Sequence, residues 1–191
     1  MESFESDVRQ FLTSHNIQFI DYTGSHTELD FTLTASEVYF DVKEKKQHMN
    51  MRHWSGTAIP EQHLFILDDL AARKILLRSP RSFLVIRNCT EVSSYYVYSV
   101  VDLLCMPKVR VRRPIERRHR TLKGKWYVDL RHGGHASSLE HAFEHMMNYP
   151  IKFSSIFKDH IDCWGNYEGE VVQTTGSLRS PQHWSTDLHE R

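Results

Sequence analysis

ELDFTLTASEVYFDVKEK, residues 28–45, decides how the rest of the chain is read. Leu29, Phe31 and Leu33 alternate with Asp30, Thr32 and Thr34; beyond Ala35-Ser36, Val38, Phe40 and Val42 alternate with Tyr39, Asp41 and Lys43. Period-two alternation on both sides of a short polar break predicts an antiparallel hairpin with one buried face. If Thr34 and Glu37 flank the turn, Leu33 faces Val38, Thr32 faces Tyr39, Phe31 faces Phe40, Asp30 faces Asp41, and Leu29 faces Val42. Every apolar residue then meets an apolar partner, and a slip by one residue would undo all of these matches. Ala-Ser suits a tight primed turn poorly, which leaves room for a longer one.

This register has a chemical consequence. It sets Asp30 and Asp41 across from each other, with Lys43 two residues along on the same face, and like charges so opposed need neutralising. Mg²⁺, or Mn²⁺ in its place, is a hard cation held by one or two carboxylates together with substrate phosphate and water, and this pair offers those donors. Lys43 beside such an ion completes a phosphodiesterase logic, since an ammonium stabilises negative charge developing on phosphate. The plainer reading is a solvated hairpin face whose acids are offset by nearby lysines.

Asp30 followed by Asp41-Val42-Lys43, on a hairpin behind an N-terminal helix, resembles the PD-(D/E)xK nuclease superfamily with its restriction-endonuclease-like fold. Among its members, the pattern is similar to the Holliday junction resolvase-like small endonucleases. The resemblance covers about residues 3–100. It implies that Asp30 and Asp41 bind the metal, that the Val42 main-chain carbonyl adds a ligand, and that Lys43 assists the attacking water. It also implies a contribution from a first-helix acid, for which Glu5 is the best match and Glu2 the second, and in some branches from a glutamine, here Gln62. Leu29 stands where the family motif has proline.

Around this centre the chain reads as α/β, with a mixed central β-sheet flanked by helices and a C-terminal strand-helix appendix. Phe4, Val8, Phe11 and Leu12 predict an amphipathic helix over 3–14, and IQFIDY a short strand. EQHLFILDDLAARKILL after Pro60 predicts one helix, SFLVIRN a central strand covered on both faces, YYVYSV another strand, and VVDLLCM a short helix. WYVDL, a Gly-Gly turn and SSLEHAFEHMM follow, with Ser137 and Glu140 at capping-box spacing. We expect a nuclease-like core over 1–106, a basic stretch plus appendix over 107–150, and a partly disordered extension over 151–191.

The 191 residues carry 24 Lys/Arg and 24 Asp/Glu, so overall charge predicts no polyanion partner. The distribution does: Lys108 to Arg131 holds ten Lys/Arg against Glu116 and Asp129, a local net of +8. Arg110, Arg112, Arg113, Arg117, Arg118 and Arg120, with Lys45 and Lys46 at the exit of the motif strand, are candidate contacts to a DNA backbone. The alternative is a solvated basic loop. His132, His135, His141 and His145 read as ordinary polar-face histidines, and the four tryptophans mostly as packing residues. Three cysteines without CxxC spacing, no apolar run of membrane-spanning length and no leader pattern give the expectation of a cytoplasmic protein with no membrane contact.

The expected function is a Mg²⁺-dependent DNA endonuclease. A homodimer would suit cutting two strands, and a protein partner could supply targeting to an otherwise neutral chain. The rival is a non-catalytic nucleic-acid-binding subunit of a recombination, transposition or defence complex.

Overall fold

The computed structural model describes residues 3–50, 52, 54, 56–90, 94–106, 109–114 and 122–159. In chain order the elements are α1 (Phe4–Ser14), β1 (Phe19–Asp21), β2 (Phe31–Leu33), β3 (Val38–Lys45), a 3-10 turn (Glu61–His63), β4 (Leu64–Asp68), α2 (Asp69–Leu77), β5 (Ser82–Asn88), β6 (Ser94–Ser99), α3 (Val100–Cys105), β7 (Val109–Pro114), β8 (Leu122–Asp129), a second 3-10 turn (Leu130–His132), β9 (Gly134–Ala136) and α4 (Leu139–Asp159). One compact unit spans Met1–Asn148 and a second spans Tyr149–Arg191.

The protein is a mixed α/β fold. Six strands form a sheet in the order β1-β2-β3-β5-β6-β9, with β3 and β5 parallel and the other pairings antiparallel. SFLVIRN is the interior strand its composition predicts: every residue of β5 is buried, between parallel β3 and antiparallel β6. A second sheet of three antiparallel strands, in the order β4-β8-β7, takes up the basic stretch and WYVDL. The appendix strand β9 closes the far edge of the first sheet against β6.

The two faces of the six-stranded sheet are packed differently. On one, α1 buries Phe4, Val8 and Leu12, while Phe31 stacks on Phe40 with ring centroids 5.2 Å apart and Phe143 of α4 meets Phe40 edge-on at 5.5 Å. On the other, Leu84 and Ile86 of β5 and Tyr98 of β6 join Ala71, Ala72 and Ile75 of α2, Leu103 of α3, and Leu67, Trp126 and Val128 of the second sheet in a single buried cluster. The Tyr98 hydroxyl donates to the Asp129 carbonyl at 2.8 Å, tying the two sheets together inside it.

Three features depart from the sequence reading. Residues 61–77, read as one helix, divide into the 3-10 turn, β4 and a helix that begins only at Asp69. Leu64, Phe65, Ile66 and Leu67 are contiguous and apolar, and pairing with the Trp126–Asp129 edge of β8 outweighs their helical spacing. The cap of α4 is Ser138, whose hydroxyl accepts from the His141 amide at 3.2 Å, while Ser137 turns to the His141 ring. The α4 helix runs on through Pro150 to Asp159 instead of fading there. The rest of the extension expected to be partly disordered, residues 160–191 with Cys163, Trp164 and Trp184, lies outside the described residues.

Phe40 is fully buried between two aromatic rings on the strand that carries the motif. Phe40→Ala is expected to lower unfolding free energy by about 3–5 kcal/mol, measured by urea denaturation, with Phe40→Leu costing clearly less.

Candidate active site

The hairpin register is the one its alternation predicts, with Phe31 opposite Phe40, Thr32 opposite Tyr39 and Leu33 opposite Val38. The turn is longer than two residues, and Glu37 adopts a left-handed backbone within it (φ 52°). The ladder ends at Phe31, so the expected facing pairs Asp30–Asp41 and Leu29–Val42 are not formed as strand pairs. Leu29 instead crosses to the α2 side and joins the buried cluster there. Asp30 supplies a carboxylate oxygen where a strand partner would have supplied a carbonyl: its Oδ2 accepts from the Val42 amide at 2.9 Å.

Asp30 and Asp41 are nevertheless brought together, by the cation that the sequence reading set to one side of them. Lys43 Nζ lies 3.0 Å from Asp30 Oδ2, 2.8 Å from Asp41 Oδ2 and 2.9 Å from the Val42 carbonyl oxygen. Parallel pairing with β5 sets Asp41 beside Leu84 and Lys43 beside Ile86, while on its other side the strand is held here only through the Val42 amide on the Asp30 carboxylate. Asp41 is fully buried, Asp30 nearly so, and Lys43 keeps about a third of its side chain exposed.

Burial dominates the electrostatics of Asp41. Withdrawal from water, with the Asp30 charge added, outweighs the pull of Lys43 and pushes its carboxyl up to about 6. Burial opposes the Lys43 ammonium, but Asp41 and then Asp30 more than offset it and hold Lys43 above its ordinary range. Although Asp41 Oδ2 is within ion-pair distance of Lys43, neither Asp41 oxygen receives a well-directed hydrogen bond, and they are the buried side-chain oxygens or nitrogens so left among the described residues. An under-satisfied buried carboxylate is costly to a fold and useful to a ligand.

Lys74 is the site residue the sequence reading missed. From α2 its ammonium donates to the Glu28 carbonyl and lies 3.9 Å from Asp41 Oδ1, with its side chain 12% exposed. Its helical setting was expected, but the Glu28 and Asp41 groups that it meets come from distant segments that local spacing does not bring together. Asp41, Lys43 and Lys74 line a cavity of about 410 Å³ with Met49, Asp68 and Lys125. The cavity thus joins the motif strand to the second sheet, where Lys125 pairs with Asp68.

The other candidates scatter. Glu5 sits on α1, across the sheet from Asp41, where Arg87 lies over the Phe4 ring and pairs with Asp7 and Glu44; the charge of Glu5 is felt at Lys46. Lys45 is fully buried, its ammonium bonded to the main-chain oxygens of Glu61 and Gln62, which withdraws it from any DNA contact. Gln62 thereby serves the fold through its backbone, and its side chain points to solvent. Lys46 is exposed and paired with Glu44 at 2.8 Å. Arg110 pairs with Asp69 at 2.8 Å, beside the Trp126 indole on the same carboxylate, and Arg112 is exposed. Arg113 pairs through its backbone with Lys123, and Arg117, Arg118 and Arg120, like Glu2, lie outside the described residues.

The oxygens fit a hard divalent cation. Two carboxylate oxygens and one carbonyl oxygen already converge on one positive group, and Asp41 has bonding capacity to spare. Among the described residues no group of three or more His, Cys, Asp or Glu side chains is placed to hold a metal, so the carbonyl of Val42 is needed to complete the protein's share.

No protein-family profile and no curated protein matches this chain. Among solved structures, Hjc, a Holliday junction resolvase from the archaeal hyperthermophile Archaeoglobus fulgidus, is similar at 11% identity and a TM-score of 0.40, over 69% of this chain and 87% of its own.

Because the folded-state pKa of Asp41 lies above its ordinary value of 3.8, the folded state binds the extra proton between roughly pH 4 and 6. Its contribution therefore favours folding at low pH and is lost as pH rises through that window. Relative to Asp41→Asn, the metal-free wild type is expected to lose roughly 2–3 kcal/mol of stability from pH 4 to pH 7, measured by denaturant titration across that range.

Proposed function

We propose that the chain is a divalent-metal-dependent DNA endonuclease with a PD-(D/E)xK-type site, hydrolysing phosphodiester bonds through Asp30, Asp41 and Lys43. The observation that carries this reading is the convergence of Asp30 Oδ2, Asp41 Oδ2 and the Val42 carbonyl within 3.0 Å of one cationic centre, at the wall of an open cavity. A bound Mg²⁺ or Mn²⁺ would supply Lewis acidity, neutralising charge on the phosphodiester and easing deprotonation of water.

The chain's own residues do the rest. Asp30 and Asp41 provide the anionic seat, and the β3–β5 pairing fixes its position. The partly exposed Lys43 ammonium offers hydrogen-bond donors to phosphate oxygens where charge accumulates during attack. Lys74 adds a second positive charge at the cavity wall, and the exposed Arg112 of β7 offers a further cation for the flanking backbone. Two copies of the chain would present two such sites, one for each strand of a duplex.

One observation favours the non-catalytic reading. Two acids and two lysines balance within the site, which a purely structural charge cluster would also satisfy.

The deciding experiment incubates linear duplex, single-stranded and four-way-junction DNA with Mg²⁺ or Mn²⁺. Wild type should cleave at least one of them. Asp41→Asn and Lys43→Met should each lose at least about a thousandfold in rate, because each removes a central group of the site. Absence of cleavage by folded wild-type protein on every substrate would favour the binding subunit.

A second outcome concerns the hairpin. Arg112→Ala should weaken binding to duplex DNA of any sequence and reduce the slope of log affinity against log salt by about 1, read from fluorescence anisotropy at several salt concentrations.

A further inference from the structure

Resting on the metal-seat reading above, we propose that Lys43 plugs the seat it serves: its ammonium occupies the divalent cation's position in the metal-free protein and must leave for the metal to enter. The three oxygens assigned to the cation are the three that surround Lys43 Nζ, at 3.0, 2.8 and 2.9 Å. Ammonium and divalent cation therefore compete for one set of donors. Both cannot hold Asp30 Oδ2, Asp41 Oδ2 and the Val42 carbonyl at once.

The protein has the means for this exchange. The Lys43 side chain is one-third exposed and lines the open cavity, so its ammonium has somewhere to go without moving β3. Lys74, by contrast, is anchored on the Glu28 carbonyl and stands 3.9 Å from the other oxygen of Asp41. It can remain in place while the seat changes occupant. The displaced Lys43 ammonium then faces the cavity where a phosphate would lie, so the same event that loads the metal frees the lysine for its work on substrate.

Competition at the seat is distinguishable from the general repulsion between a nearby lysine and a metal. Lys74 carries the same charge close to the same carboxylate but occupies none of the three bonds, so it serves as the control. Mn²⁺ alone is titrated by isothermal calorimetry into the full-length wild type and the Lys43→Met, Lys74→Met and Asp41→Asn proteins. Lys43→Gln is titrated as a second neutral variant, and thermal melts without metal establish that each is folded.

Lys74→Met should tighten Mn²⁺ binding by relieving longer-range repulsion, and Lys43→Met and Lys43→Gln should tighten it at least about tenfold further, because a close ion pair no longer has to be broken. Asp41→Asn should abolish binding. Equal or weaker binding by both Lys43 variants, with binding still dependent on Asp41, would overturn the plug and leave the metal seat standing. Equal tightening by Lys43→Met and Lys74→Met would also overturn it, reducing the effect to unlocalised charge. No Mn²⁺ binding by wild type or by either Lys43 variant would overturn the seat and the plug together.

Discussion

One ammonium held among three oxygens organises this molecule. The Lys43 side chain draws Asp30, Asp41 and the Val42 carbonyl to a single point on a strand held by β5 on one side and by the Asp30 carboxylate on the other. Two carboxylates this close in a buried setting repel each other and lose hydration, and no arrangement of apolar neighbours relieves that cost. The fold meets it with Lys43 and, from α2, Lys74, yet leaves Asp41 without a well-directed hydrogen bond. A strand that had only to be stable would gain from an apolar residue at position 41, between Phe40 and Val42 and beside Leu84.

The surrounding architecture serves the same point. The aromatic packing of Phe31, Phe40 and Phe143 on one face holds the hairpin against α1 and α4. On the other face α2 brings Lys74 to Asp41, while the 3-10 turn before β4 is tied to the motif strand by the buried Lys45 ammonium. Asp69, at the start of α2, receives Arg110, Arg73 and the Trp126 indole, and Gly124 lies so close that a Cβ there would come within 2.8 Å of the Asp69 side chain. The basic hairpin is thereby joined to the helix that carries Lys74.

The central part of this arrangement was legible in the sequence. Alternation over 31–42 fixes which side chains share a face, so the hairpin register follows from period two, while the meeting of Asp30 with Asp41 rests on the Lys43 ammonium between them. The run of apolar residues in SFLVIRN likewise declares a strand covered on both faces. What alternation cannot show is where a ladder stops, and Asp30 leaves the ladder by taking the Val42 amide with its side chain. Nor can local spacing reveal non-local contacts: Leu64–Leu67 satisfy a helical pattern, but β8 claims them as a strand, and the approach of Lys74 to Asp41 is equally non-local. Charge counting failed similarly at Lys45, since only tertiary structure brings the Glu61 and Gln62 carbonyls to its ammonium.

The central claim is that the three oxygens around Lys43 form a cation seat. It is tested most directly by crystallising the protein with Mn²⁺ and collecting anomalous diffraction. A manganese peak bounded by Asp30, Asp41 and the Val42 carbonyl is expected, with the Lys43 ammonium turned into the cavity. Crystals grown in saturating Mn²⁺ that show no peak there, with Lys43 still bridging the two carboxylates, would contradict it.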